Sequence, residues 1–136
     1  MHSDLHKKLD QLLRDREGLV FDWATNNCWH LAADWVLACT GQDLLGPHRN
    51  VGSLRGALKA IEEFGQMDEV VTQVLGEPIN PNFAAYGDLV LVPSSEGRGV
   101  GGSLGVCLGP SVVSPGDEGL LRVPLSSAVK AWRVPK

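Results

Sequence analysis

The chain has 136 residues, 43% of them hydrophobic and 21% charged, with a formal net charge of −4. These values predict a single globular domain, residues 1–136, with a core of its own. No run of Lys and Arg exceeds two adjacent residues, so the basic surface that nucleic acid requires is not expected. No apolar run approaches the ~20 residues of a membrane span, and the charged N-terminal stretch is not typical of a signal peptide.

The first 76 residues are predicted to form the helical half of the domain. Helical periodicity with polar caps and closing glycines predicts four helices, at residues 3–16, 28–40, 54–64 and 68–75. Ser3 and Ser53 are the expected N-caps of the first and third helices. Gly41 and Gly76 are the expected C-terminal glycines of the second and fourth.

From Tyr86 onwards the pattern changes to short apolar runs. They predict strands at residues 88–92, 104–108, 111–113, 120–123 and 131–134. Helices followed by a small antiparallel sheet, residues 86–136, make an α+β domain with N-terminal helices packed on a C-terminal sheet. The loop between the first two strands, residues 94–102, contains GRGVGG. Its letters match a dinucleotide-binding motif, but that motif needs a helix afterwards and a strand is predicted here.

The second predicted helix is the centre of the chain, within the stretch FDWATNNCWHLAADWVLACTG. Asn26 and Asn27 are suitable N-caps. His30 and Asp34 fall outside the apolar stripe of this helix. His30 is expected at the surface or at an interface and Asp34 is expected to face solvent, whereas Trp35 is expected in the core. Asp88, at the start of the first strand, is expected either to cap a turn or to hold the loop before Cys28 in place. The stripe itself contains Cys28, Leu31, Ala32, Trp35 and Cys39.

Two interpretations of Cys28 remain open. A cysteine in the first turn of a helix has its thiolate favoured by the helix dipole, which suits a nucleophile. Cysteine is also a small hydrophobic residue that is often simply buried. Cys28, Cys39 and Cys107 form neither an even framework nor a C-x-x-C pair, so free thiols in a reducing compartment are expected. Cys28, His30 and His48 do not have the spacing of a zinc ligand set, and His2 and His6 are expected to be solvated helix residues, so neither metal nor cofactor is expected.

The order of motifs resembles that of the NlpC-like cell-wall peptidases, which are papain-like cysteine enzymes. The resemblance rests on a helix that begins at a cysteine, a Gly-Asp-apolar strand (GDLV) and an apolar strand of the form LGVCLG. More narrowly, the pattern F-x-W-x-x-N-x-C-x-x-x-A-A-D-W-V-x-A-x-T-G with a closing A-W-R-V resembles small proteins encoded among phage and prophage tail genes. The resemblance covers residues 21–134 and implies a papain-like fold.

By position, the resemblance implies that Cys28 is the nucleophile. The family has its general base, a histidine, where this chain has Ser103, and its third polar residue near Ser114. A hydroxyl cannot accept the thiol proton as an imidazole does. His48 could serve as the base only if the loop around residues 46–47 folds back over the start of the helix. His30, two positions after the cysteine, faces another side of the helix.

The resemblance therefore implies a tail-tip (baseplate) component of a tailed phage, in which a degenerate peptidase fold acts as a structural or docking module. Its partners would be hub or distal tail subunits. It would be made in the bacterial cytoplasm, without a signal peptide, and located in the virion. The alternative is an active cysteine endopeptidase or amidase that cleaves peptidoglycan stem peptides during DNA injection. A third possibility is a host-side binding or immunity domain with the same fold.

Overall fold

A computed structural model describes residues 2–17, 28–45, 67–93, 103–116 and 119–134. Within these ranges, three helices come first, α1 (His2–Arg16), α2 (Cys28–Thr40) and α3 (Met67–Leu75). Five strands follow in the described residues, β1 (Leu89–Val92), β2 (Ser103–Cys107), β3 (Ser111–Gly116), β4 (Gly119–Pro124) and β5 (Lys130–Trp132). The predicted α+β class is confirmed. The helix predicted at residues 54–64, with its cap Ser53, lies outside the described residues.

Two glycines end their helices as predicted. Gly41, with φ of +77°, donates its N–H to the carbonyl of Leu37 at 2.8 Å. Gly76, with φ of +98°, donates to the carbonyl of Thr72 at 2.9 Å. This left-handed conformation suits glycine, because a side chain would be strained there. Within the described ranges, no helix is both long and apolar enough to cross a bilayer.

The strands form one antiparallel sheet in the order β4-β3-β2-β1-β5. β1 and β2 are a hairpin in which Val92 pairs with Ser103. The segment after the glycine-rich loop is thus a strand, as predicted, and the dinucleotide motif lacks its helix. β5 returns to pair with β1 and forms the second edge of the sheet.

The two faces of the sheet carry separate apolar clusters. The helix-side core lies between the sheet and α1, α2 and α3, and its strand residues are Leu89, Leu91, Leu104, Val106, Val113 and Trp132. The outer cluster lies on the opposite face and consists of Val90, Val92, Cys107, Val112 and Ala131. Each strand contributes alternate residues to the two clusters, as the two-residue repeat of a strand requires.

Short turns cover the outer cluster. Leu125 of the 3₁₀ turn Leu125–Ser127 packs beside it, as do Ala84 and Ala128, which follow the turns Pro81–Phe83 and Leu125–Ser127. Phe83 and Val129 nevertheless remain 68% and 55% exposed. Among the described residues, those that pack beside the outer cluster belong to short turns and their flanks, whereas whole helices cover the helix-side face.

Candidate functional site

Helix α2 begins at Cys28, so the backbone places this residue in the first helical turn. Two indole groups attach the helix to the rest of the domain. The Nε1–H of Trp35 donates to the carbonyl of Gly87 at 2.7 Å, and the Nε1–H of Trp29 donates to the carbonyl of Leu45 at 2.8 Å. Both indoles are buried, so each hydrogen bond satisfies a donor that water cannot reach. The start of α2 therefore has a defined position.

The expected exposure of His30 was wrong. Only 8% of this residue is exposed, although it lies well away from the apolar stripe that the sequence suggested. The reason is that α2 is covered on most sides, since every residue from 29 to 33 is buried. The single-stripe expectation holds for a surface helix, whereas α2 is close to a central one.

Asp34, which was expected to face solvent, is half-buried. Its carboxylate forms an ion pair and hydrogen bond with the guanidinium of Arg16 at the end of α1. This contact joins the two helices, because the partners are 18 positions apart in the chain. A contact between such distant positions leaves no periodic signal in the sequence.

Two contacts of α1 show that the C-terminal end of α2 lies near the start of β1. The Nζ of Lys8 donates to the carbonyl of Ala38 at 3.3 Å. His6, half a turn earlier in α1, stacks on Tyr86 with ring centroids 4.1 Å apart. The end of α2 therefore lies near Tyr86, just before β1. Burial, together with the nearby carboxylate of Asp10, raises the pKa of the Tyr86 hydroxyl.

Cys28, at the start of α2, and Ser103, at the start of β2, both lie far from Tyr86. Gly87 donates its N–H to the carbonyl of Cys107 at 2.8 Å, so β1 begins where β2 ends. Ser103, the first residue of β2, is at the opposite end of that strand. The 13 residues of α2 span about 18 Å, which separates Cys28 from the Tyr86 end. α2 packs on β2 and β3.

The two serines lie on the outer face of the sheet. Ser103 is half-buried and pairs with Val92, a member of the outer cluster, and antiparallel partners share a face. Ser114 is 3% exposed and follows Val112 of the outer cluster by two residues. Strand alternation thus assigns both hydroxyl groups to the face opposite α2.

Gly105, within the LGVCLG strand, allows β2 and β3 to approach closely. A Cβ at this position would lie 2.5 Å from Cγ1 of Val112 and 2.7 Å from the carbonyl oxygen of Val113. The second of these atoms belongs to the backbone and cannot rotate away. This glycine is therefore required by the sheet itself, without reference to a substrate.

Asp88 caps a turn, as predicted. It is fully buried, and its Oδ2 accepts from the backbone N–H of Ala85 at 2.9 Å. The guanidinium of Arg133 lies 3.4 Å from the same oxygen. The sequence suggested the turn but not the arginine, which comes from the end of the chain.

The described residues contain no group of three or more His, Cys, Asp or Glu side chains that could hold a metal ion. His48, the alternative base, lies outside the described residues. His30 is the histidine that α2 itself contains.

A family model described as "Domain of unknown function (DUF6950)" matches residues 1–134. The chain belongs to this family. No curated protein matches it. The match extends over α1 to β5, so the helices and the sheet form part of one family domain, which includes both Cys28 and the strands that carry Ser103 and Ser114.

Proposed function

We propose that the chain is a docking component of the tail tip of a tailed phage or prophage, built on a peptidase-like scaffold that does not cleave. The peptidase and phage-tail elements rest on the sequence resemblance. The α+β arrangement, with a helix that begins at Cys28 packed on β2 and β3, agrees with that resemblance. Its partners would be hub or distal tail subunits, and the virion would be its location.

The observation that carries the non-catalytic part of the proposal is the position of Ser103. The resemblance requires a base at this residue, and a hydroxyl cannot form the imidazolium that stabilises a thiolate. Strand pairing moreover assigns Ser103 to the face opposite α2. Neither Ser103 nor Ser114 therefore supplies a base beside the start of that helix.

Activity on peptidoglycan stem peptides tests this part directly. We expect the purified chain to release no more fragments than its Cys28→Ala variant, as measured by mass spectrometry of the products. Release that depends on Cys28 would contradict a purely structural role.

The virion assignment needs a separate experiment. We expect mass spectrometry to find the chain in purified phage particles, and Cys28→Ser to leave both particle assembly and infectivity unchanged. Intact particles that lose infectivity with Cys28→Ser would instead indicate a chemical role. Absence from particles would favour a host-side binding or immunity domain.

The second candidate is an active cysteine endopeptidase or amidase acting on peptidoglycan. The start of α2 at Cys28 favours it, because the first turn of a helix stabilises a thiolate. His48 is then the required base. Stem-peptide cleavage should disappear in both Cys28→Ala and His48→Ala. It should persist in His6→Ala, which removes an exposed histidine of α1.

A further inference from the structure

The two edges of the sheet differ in how they are protected. β5 has only three residues, and beyond it Ile79 forms a further bridge to Ala131. The N–H of Ile79 donates to the carbonyl of Ala131 at 2.7 Å. A short edge strand that begins with a lysine and has an occupied carbonyl offers little to another strand.

Within the part of the chain that the structure describes, the edge at β4 lacks such protection. β4 has six residues and pairs there only with β3. Among the described residues, no backbone hydrogen bond reaches it from the other side. Its single charge is the exposed Arg122, while Leu121 and Val123 are half-buried. An edge strand of this length presents a row of unpaired backbone groups.

The ladder between β3 and β4 identifies the groups that point outward. Leu125 donates its N–H to the carbonyl of Pro110 at 2.9 Å, one step beyond the last pair of this ladder. Hydrogen-bonded pairs alternate in an antiparallel ladder, so residues 119, 121 and 123 bond to β3. Leu120 and Arg122 therefore direct both their N–H and C=O groups outward, and Pro124 directs only a carbonyl.

We propose that β4 pairs with β4 of a second copy of this chain, antiparallel, about a two-fold axis through Leu121. Leu120 of each copy then lies opposite Arg122 of the other. The outward groups of these residues form about four backbone hydrogen bonds. Leu121 meets its own counterpart at the centre. This inference is independent of the proposed function.

The charge on β4 excludes one of the neighbouring registers. An axis through Arg122 would also align outward groups, but it would set two guanidinium groups directly opposite each other, and like charges in that position are destabilising. It would also leave Pro124 as a partner without an N–H. The axis through Leu121 avoids both problems.

Because the edge at β5 is protected, the assembly is expected to stop at two copies. A two-fold interface uses the same surface on both molecules and closes on itself. Because Ile79 occupies the other edge, the ten-stranded sheet of the dimer has no second open edge of this kind. One six-residue strand gives a small interface, so we expect a dimer that dissociates on dilution.

Sedimentation and amide hydrogen exchange test the pairing together, on the whole chain. We expect the sedimentation coefficient to fall from dimer to monomer over about a hundredfold dilution. The amides of Leu120 and Arg122 should exchange more slowly as concentration rises. Those of Leu121 and Val123 should be protected at every concentration, because they bond to β3.

Variants of β4 test separately how the dimer depends on backbone hydrogen bonds and on charge. Arg122→Pro removes an outward N–H and should weaken the dimer at least about tenfold, whereas Arg122→Ala keeps the N–H and should dimerise at least as well. Leu121→Lys places like charges on the two-fold axis and should also weaken the dimer about tenfold. This variant tests the proposal if Arg122→Pro does not fold. A monomer at every concentration, or undiminished dimerisation of Leu121→Lys, would overturn the proposal.

Discussion

The two faces of the sheet differ in what covers them. The helix-side core includes buried residues of three helices and several aromatic and aliphatic side chains of the strands. The outer cluster has five buried residues and is bordered by single turns, among which Phe83 and Val129 are largely exposed. The same strands supply both faces through alternate residues, so the difference comes from the covering segments.

The two faces of the sheet therefore have different roles. The helix-side face fixes α2, and hence the first turn that contains Cys28, through buried indoles and aliphatic packing. The outer face carries Ser103 and Ser114. Residues that position the candidate nucleophile are therefore not those available for surface contacts.

The largest expected effect is at Trp35 on the helix-side face. This residue is fully buried and its indole donates to the carbonyl of Gly87. Trp35→Ala should lower the free energy of unfolding by about 3–5 kcal/mol, because it leaves a large cavity. Trp35→Phe, which keeps most of the ring but not the donor, should cost less. Urea denaturation of both variants measures this, and a near-neutral Trp35→Ala would mean that α2 does not anchor this face.

Much of the fold was accessible from the sequence because its signals are local. The closing glycines, the helical periods and the apolar runs identified α1, α2, α3 and all five strands of the described residues. Strand boundaries differed by a few residues, most at β3, which extends to Gly116 through its pairing with β4. The end of a strand depends on the neighbouring strand with which it pairs, and the periodicity of its own residues does not show where that pairing stops.

The candidate site was predictable only in part. The position of Cys28 at the start of α2 follows from the capping pattern, and the structure has it there. The burial of His30 does not follow, because it depends on segments that cover α2 from several sides. The contacts of Arg16 with Asp34 and of His6 with Tyr86 connect distant parts of the chain and have no sequence period.

The second largest effect is expected where β2 and β3 approach on the outer face. Gly105→Ala should destabilise the domain by about 2–3 kcal/mol, because the new Cβ would overlap a backbone oxygen at 2.7 Å. Gly41→Ala is the matched control, since it has open space but a φ of +77°. It should cost about 1 kcal/mol from backbone strain alone. Equal losses in thermal denaturation would contradict the steric explanation.

A pair of neighbouring valines compares the two faces directly. Val113 lies in the helix-side core and Val112 in the outer cluster, and both are fully buried. Val113→Ala should cost about 2 kcal/mol and Val112→Ala about 1 kcal/mol, because turns can relax around a cavity more easily than packed helices can. Urea denaturation of the two variants gives the comparison. A larger loss of stability for Val112→Ala than for Val113→Ala would contradict the expectation that the outer face relaxes more easily around a cavity.

The smallest effect concerns the rim of the helix-side face, where α3 meets β5 through polar groups. The Nζ of Lys130 lies 2.5 Å from Oδ2 of Asp68, and this hydrogen bond is the main cause that lowers the pKa of the Asp68 carboxyl below its ordinary value of 3.8. Because the pKa is lower in the folded state, the contribution to stability is fully present above the pKa of the unfolded chain. It is lost as the pH falls through the lowered value. Both side chains are partly exposed, so we expect less than about 1 kcal/mol.

Lys130→Met tests this origin, because it keeps the aliphatic stem and removes the charge. Thermal unfolding should show that the wild-type chain loses this increment of stability as the pH falls from the ordinary pKa of 3.8 through the lowered value, whereas the variant should lack that component of the pH dependence. Trp132, whose indole donates to Oγ1 of Thr72 at 3.1 Å, provides a second contact between β5 and α3 that does not titrate. An unchanged acid profile in Lys130→Met would mean that the indole contact and apolar packing alone hold α3 on the sheet.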